Sequence, residues 1–216
     1  MNANLTEIVV VLDRSGSMQS MKTEAEGGLA HFVADQKAQD GEARFTYVTF
    51  DDQYDLVHDR VDLREVPDQF ALEPRGMTAL LDAVGRTIDE VGRKLAKIPE
   101  QERPGAVLFC VVTDGGENSS HDYSGDRVKQ MVEEQKNTYS WQFTFLGAGP
   151  EVFAQGAQMG FDASSGAAFG SIDAALSATS RKFVRLRKAM TGGASPAMMA
   201  AANAMTDEER AEAEGK

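Results

Sequence analysis

Two apolar runs constrain the fold of this chain more than any other feature: EIVVVL at 7–12 and AVLFCVVT at 106–113. A β-branched run with no polar alternation is the pattern of a strand buried on both faces. The second run, within 104–114, is the most hydrophobic in the chain and reads as the central strand.

The segments between and after these runs alternate in type. Met18, Met21, Ala25, Leu29 and Phe32 recur at three- and four-residue steps, a helical stripe. ARFTYVTF (43–50) reads as a strand and QYDLVHDRV (53–61) as a more polar, alternating one. Asp51 and Asp52 between them suit a tight turn, so the pair is expected to be a hairpin with an exposed edge strand. A short helix is allowed in the connection that follows. Leu81, Val84, Ile88, Val91 and Leu95 mark a helix that ends before Pro99.

Beyond the central strand come a helix over about 123–136, the strand SWQFTFLGA, a short helix with Pro150 in its first turn and a brief strand within 161–169. A long helix starts near Ser171, its stripe made by Ile172, Leu176, Thr179, Phe183, Leu186 and Met190. Arg181, Lys182, Arg185, Arg187 and Lys188 crowd its second half. Complementarity to the helix dipole and a solvated face account for them. TGGASP then breaks the pattern. The chain divides into a domain over 1–190 and an Ala-, Met- and Glu-rich tail over 191–216, flexible or marginally helical, in which Thr206 and Glu209 have capping-box spacing.

Strands alternating with helices imply an α/β fold: a doubly wound, mostly parallel sheet covered on both faces. Ligands of such sheets bind at the carboxyl ends of the strands. Composition narrows the ligand. Asp plus Glu total 34 against 22 Lys plus Arg, a net charge of -12, which argues against nucleic acid and against anionic lipid. No stretch approaches the roughly 18 apolar residues of a membrane helix. The lone Cys110 and the absence of a secretory signal in the first residues place the chain in the cytoplasm.

Three loops at the expected carboxyl edge carry polar side chains: DRSGS after the first strand, GMT before the second helix, and TDGGENSS after the central strand. Any one of them is explained by turns and caps. Together they bring Asp13, Ser15, Ser17, Thr78 and Asp114 to one end of one sheet. Two carboxylates and three hydroxyls are hard oxygen donors, suited to Mg²⁺, with Mn²⁺ or Ca²⁺ as alternatives. Such a set is no closed protein cage. With the helix N-terminus after SGS adding positive potential, the site is expected to seek an outside anion, most simply a partner's carboxylate.

The set Asp13-Arg14-Ser15-Gly16-Ser17, then Thr78, then Asp114 resembles the metal-ion-dependent adhesion site (MIDAS) of von Willebrand factor A (VWA) domains. All five positions are matched. VVTDGGENSS and GMTAL are also similar to bacterial members, and the likeness covers about residues 5–189 in element order. It implies a Rossmann-like sheet of six strands with one antiparallel edge strand. It implies that Ser15, Ser17 and Thr78 ligate through their hydroxyls and Asp13 and Asp114 directly or through water. It implies, too, that a Glu or Asp of a protein partner would complete the shell, and a module that binds rather than catalyses is the expectation. It leaves the partner's identity and the oligomeric state open.

Two other functions compete. A Mg²⁺- or Mn²⁺-dependent phosphoesterase would need a general base, and His121 is the histidine nearest this edge in sequence. A scaffold could keep the motif with metal incidental to it. Thr78 is expected on an exposed loop, so that Thr78→Ala would spare the core.

Overall fold

Six strands form one sheet in the computed structural model, which describes all 216 residues. They are β1 (Asn2–Asp13), β2 (Glu42–Phe50), β3 (Tyr54–Asp62), β4 (Pro104–Thr113), β5 (Gln142–Ala148) and β6 (Ala167–Phe169). The spatial order is β3-β2-β1-β4-β5-β6. Only β3 is antiparallel, paired to β2 through the expected hairpin. The two runs that read as doubly buried lie side by side at the centre, Ile8 opposite Leu108 and Leu12 opposite Val112. From β1 the chain winds one way to β2 and β3. From β4 it winds the other way to β5 and β6. The crevice of this doubly wound sheet therefore opens where β1 and β4 end.

Side chains of a strand alternate between faces, and both faces of β1 are dry. Ile8, Val10 and Leu12 pack with α1 (Lys22–Lys37) and α5 (Ile172–Thr191). Val9 and Val11 pack with α2 (Leu80–Ala96) and α3 (Gly125–Tyr139). Burying each such side chain stabilises the fold by about 1.5–3 kcal/mol, before the entropy of ordering it. Helix α4 (Gly149–Gln158) follows β5, with Pro150 in its first turn as expected.

The structure departs from the sequence reading in several places. β1 starts five residues earlier than the apolar run. The DRSGS loop leads into a 3-10 turn, Gly16–Ser20, before α1 begins. The helix allowed after β3 is only a 3-10 turn at Leu63–Glu65. The basic half of α5 is not a solvated face. Lys182 is fully buried and donates to Thr144 Oγ1 (2.6 Å) and to the Ser165 carbonyl (2.5 Å). Arg187 is buried too, donating to the carbonyls of Gln36 (2.7 Å) and Asp40 (3.2 Å). Only Arg181 and Lys188 of the five are exposed. A helical stripe counted in apolar residues misses cations that satisfy buried carbonyls.

Residues 191–216, set apart in sequence as flexible or marginally helical, form α6 (Pro196–Ala202) and α7 (Asp207–Glu214), both packed on α5. Met199, Met205 and Ala213 enter the core beside α5. Asn203 Nδ2 donates to the Phe143 carbonyl (3.0 Å), and Gly170 N donates to the Ala213 carbonyl (2.9 Å). The apolar anchors are few and lie six and eight residues apart, which is why no helical stripe announces the packing.

Candidate metal site

Parallel register places the ends of β1 and β4 together, and the loops beyond them inherit that proximity. Asp13, the last residue of β1, is fully buried. Its Oδ1 accepts the Ser15 N–H (2.6 Å), which turns the chain sharply, and its Oδ2 accepts Thr113 Oγ1 from the end of β4 (2.5 Å). Ser15 Oγ lies 3.1 Å from Ser17 Oγ, and Ser17 Oγ donates to Asp114 Oδ1 at 2.8 Å. Thr78 joins the same group from the third loop. A Cβ built on Gly115 would lie 3.2 Å from Thr78 Oγ1, 3.5 Å from Ser17 Oγ and 3.8 Å from Ser15 Oγ. The three hydroxyls thus converge on one hollow whose floor is a residue without a side chain.

All five sequence-derived residues come together. Thr78, expected on an exposed loop, is buried. Ser15 is buried as well, Asp114 is half-buried, and Ser17 is exposed. The hollow therefore opens outward past Ser17 and Asp114.

Burial pushes the Asp13 carboxyl up to about 6, although Thr113 and Ser15 donate to it. Burial also raises the Asp114 carboxyl above the usual carboxylate range. One carboxylate held out of water and a second half out of it, neither with a cationic partner, are the electrostatic condition a cation relieves. The donors fit a small hard ion. Cis oxygens of an octahedral Mg²⁺ at about 2.0–2.1 Å lie about 2.8–3.0 Å apart, close to the Ser17–Asp114 and Ser15–Ser17 separations. An ordinary hydrogen bond has the same length, so the fit rests on the convergence of three hydroxyls rather than on one distance. No three His, Cys, Asp or Glu side chains gather as a metal cluster. A metal here would depend on hydroxyls and on ligands from outside.

Surrounding residues fix the loops, and most escaped the sequence reading. Asn118 Oδ1 accepts the Thr78 N–H (2.9 Å). Glu117 accepts the N–H groups of Leu81, Ser119 and Ser120 (2.7–2.9 Å), tying the first turn of α2 to the 115–123 loop. Asp82 returns the connection by accepting from the N–H groups of His121, Asp122 and Tyr123. Turns and caps account for the TDGGENSS loop in sequence, and nothing in GGENSS says which backbone Asn118 and Ser120 meet. Asp51, read as a turn residue, is a fully buried carboxylate paired with Arg14 and Arg75. His121 is exposed and held through its backbone N–H by Asp82 Oδ2 (2.8 Å).

No family model matches the chain, and no curated protein matches it. Solved structures do. Proximal thread matrix protein 1 from the mussel byssus, in a form with a zinc-occupied MIDAS motif, superposes with a TM-score of 0.56 at 17% identity, over 86% of this chain and 46% of that one. Its fold is theirs: VWA domain proteins recur among the neighbours. The ArnB paralog VWA2 from Sulfolobus acidocaldarius gives 0.52 at 14% identity, over 86% and 45%. A von Willebrand factor type A protein from Catenulispora acidiphila gives 0.52 at 18%, over 84% and 42%. The chain spans less than half the length of each. At these identities the likeness is one of VWA fold, and no helix of the chain is long and apolar enough to cross a membrane.

Proposed function

We propose that this chain is a VWA domain whose complete MIDAS holds Mg²⁺ through Asp13, Ser15, Ser17, Thr78 and Asp114, and that it works by binding proteins. Serine and threonine hydroxyls add no charge, so with the two aspartates acting through water the ion stays electrophilic. A carboxylate from a partner's Asp or Glu completes its shell. The observation that carries this reading is the convergence of the Ser15, Ser17 and Thr78 hydroxyls on the hollow above Gly115, with Asp114 bonded to Ser17 and Asp13 bonded to the Ser15 N–H. The zinc-occupied MIDAS motif of the mussel byssus protein supports a divalent ion on this fold. The function is non-enzymatic. The phosphoesterase alternative needs a base near the metal, and no observation favours His121 in that role. The single, fully buried thiol of Cys110 supports a cytoplasmic setting.

The test is direct. Titration of the chain with Mn²⁺, followed by loss of the free-ion electron paramagnetic resonance signal, gives one site in the wild type and none in Asp13→Ala. Capture from host lysate on wild-type chain with Mg²⁺, but not with chelator or Asp13→Ala, then identifies the partner. A wild type that leaves Mn²⁺ free in solution sinks the metal reading. Steady turnover of phosphoesters with Mg²⁺ would revive the enzyme.

A further inference from the structure

We infer that Asp51 is the positioning residue of this site: through Arg14 and Arg75 it sets the distance between the Ser15–Ser17 loop and Thr78. The inference rests on the metal reading above. Asp51 makes no hydrogen bond to any of the proposed ligands. It sits where three loops cross, at the turn between β2 and β3, with its side chain sealed from solvent.

Each loop is tied to it. Arg14, the residue between Asp13 and Ser15, donates from Nε to Asp51 Oδ2 at 3.0 Å. Arg75, three residues before Thr78, donates from Nε to the same oxygen at 2.8 Å. The Ala79 N–H donates to the Asp51 carbonyl (2.8 Å), and the Gln53 N–H to Oδ1 (2.6 Å). The two arginines are also joined by backbone, Arg75 N to the Arg14 carbonyl at 2.9 Å, and next to them Gly16 N reaches the Gly76 carbonyl at 3.3 Å. Gly76 has φ of +66°, a conformation glycine adopts without strain, and it carries the chain from Arg75 to Thr78. A second carboxylate, Asp55, pairs with Arg14 Nη1 at 2.5 Å.

A buried ion pair adds little net stability, because desolvation offsets the attraction. What it does supply is fixed geometry. One carboxylate oxygen shared by guanidiniums from two ligand loops determines how far apart those loops stand. Residues that orient metal ligands from behind typically govern metal affinity by about 10–100-fold.

The sign of the effect separates positioning from simple charge. Neutralising Asp51 removes a negative charge, and Coulomb attraction alone then weakens cation binding. Neutralising Arg14 or Arg75 removes a positive charge, and Coulomb attraction alone then tightens it. Positioning weakens binding in all three.

The experiment uses the full chain and Mn²⁺ as the only probe, with Asp51→Asn, Arg14→Met and Arg75→Met, and checks each metal-free variant by circular dichroism and urea unfolding. Expected is a loss of Mn²⁺ affinity of about tenfold or more in each, with the fold retained. Tighter binding in Arg75→Met, or wild-type affinity in all three alongside lower metal-free stability, overturns the inference. Arg75 is half exposed, so that variant decides if Arg14→Met does not fold. Absence of Mn²⁺ binding by the wild type removes the metal reading itself, and the positioning role falls with it.

Discussion

Asn118 grips Thr78 from both sides: its Oδ1 accepts the Thr78 N–H at 2.9 Å, and its own N–H donates to the Thr78 carbonyl at 3.0 Å. A buried threonine on a loop has no helix or strand to fix its backbone, so this pair does it instead. Asn118→Ala removes the side-chain half of the grip. Mn²⁺ affinity should fall about tenfold or more, and Asn118→Asp, which keeps the acceptor oxygen, should restore it. Equal affinity in the alanine variant would show that Thr78 is placed without Asn118 or does not ligate.

Gly115 offers a cleaner way to close the hollow than deleting a ligand. Its backbone lies outside the left-handed region, so alanine adds no conformational strain there. The new Cβ would stand 3.2 Å from Thr78 Oγ1 and 3.5 Å from Ser17 Oγ, in the space the three hydroxyls face. Gly115→Ala should abolish Mn²⁺ binding while urea stability changes by less than about 1 kcal/mol. Retained Mn²⁺ binding would move the ion away from Gly115.

Glu209 ties the last two helices to the rest of the molecule. Its carboxylate takes Arg185 at 2.6 and 3.0 Å, and it also accepts the Thr206 N–H at 2.9 Å, closing a capping box. The Arg185 pair and the capping contact together hold its carboxyl below the usual carboxylate range despite burial. Glu209→Ala should cost about 1–3 kcal/mol in urea unfolding and expose the 192–216 segment to protease before global unfolding. A variant as stable and as protease-resistant as the wild type would mean that Met199, Met205 and Ala213 hold the segment without it.

How much of this was legible follows from where each signal is stored. The sheet was readable because Ile8–Leu12 and Leu108–Val112 need burial on both faces, which a chain records in consecutive residues. The five candidate ligands were readable because the end of each strand fixes where its loop begins, so residues distant in sequence share one edge. The supporting contacts were not. Asn118, Asp51 and Thr113 look in sequence like ordinary strand-end and turn residues, and their roles depend on which backbone, guanidinium or carboxylate meets them from another segment. The capping spacing of Thr206 and Glu209 was visible, but not Arg185 as partner of Glu209. Thr78 read as exposed because polar loop residues usually are, yet Asn118 and Gly115 close around it. Lys182 read as part of a solvated basic face because a lysine almost never sits fully buried.

That lysine gives the protein a pH dependence of definite sign. Burial pushes Lys182 down to about 7, with the charges of Glu209, Arg185 and Arg210 and the Cys110 thiol acting on it more weakly. Below pH 7 it is protonated in both states, and the folded state bears the full cost of the buried cation. Above pH 7 the folded state releases the proton while the unfolded chain, near 10.4, keeps it. Stability should therefore rise with pH above 7, with a slope approaching about 1.4 kcal/mol per unit. Burial raises the Cys110 thiol to about 12, a contribution of opposite sign that starts near the thiol's ordinary value of about 8.5. Urea midpoints between pH 7 and about 8.5 isolate Lys182. The wild type should gain stability across that window and Lys182→Met should not. Parallel slopes in the two proteins would place the titration elsewhere and leave Lys182 charged in the core, held by Thr144 and the Ser165 carbonyl.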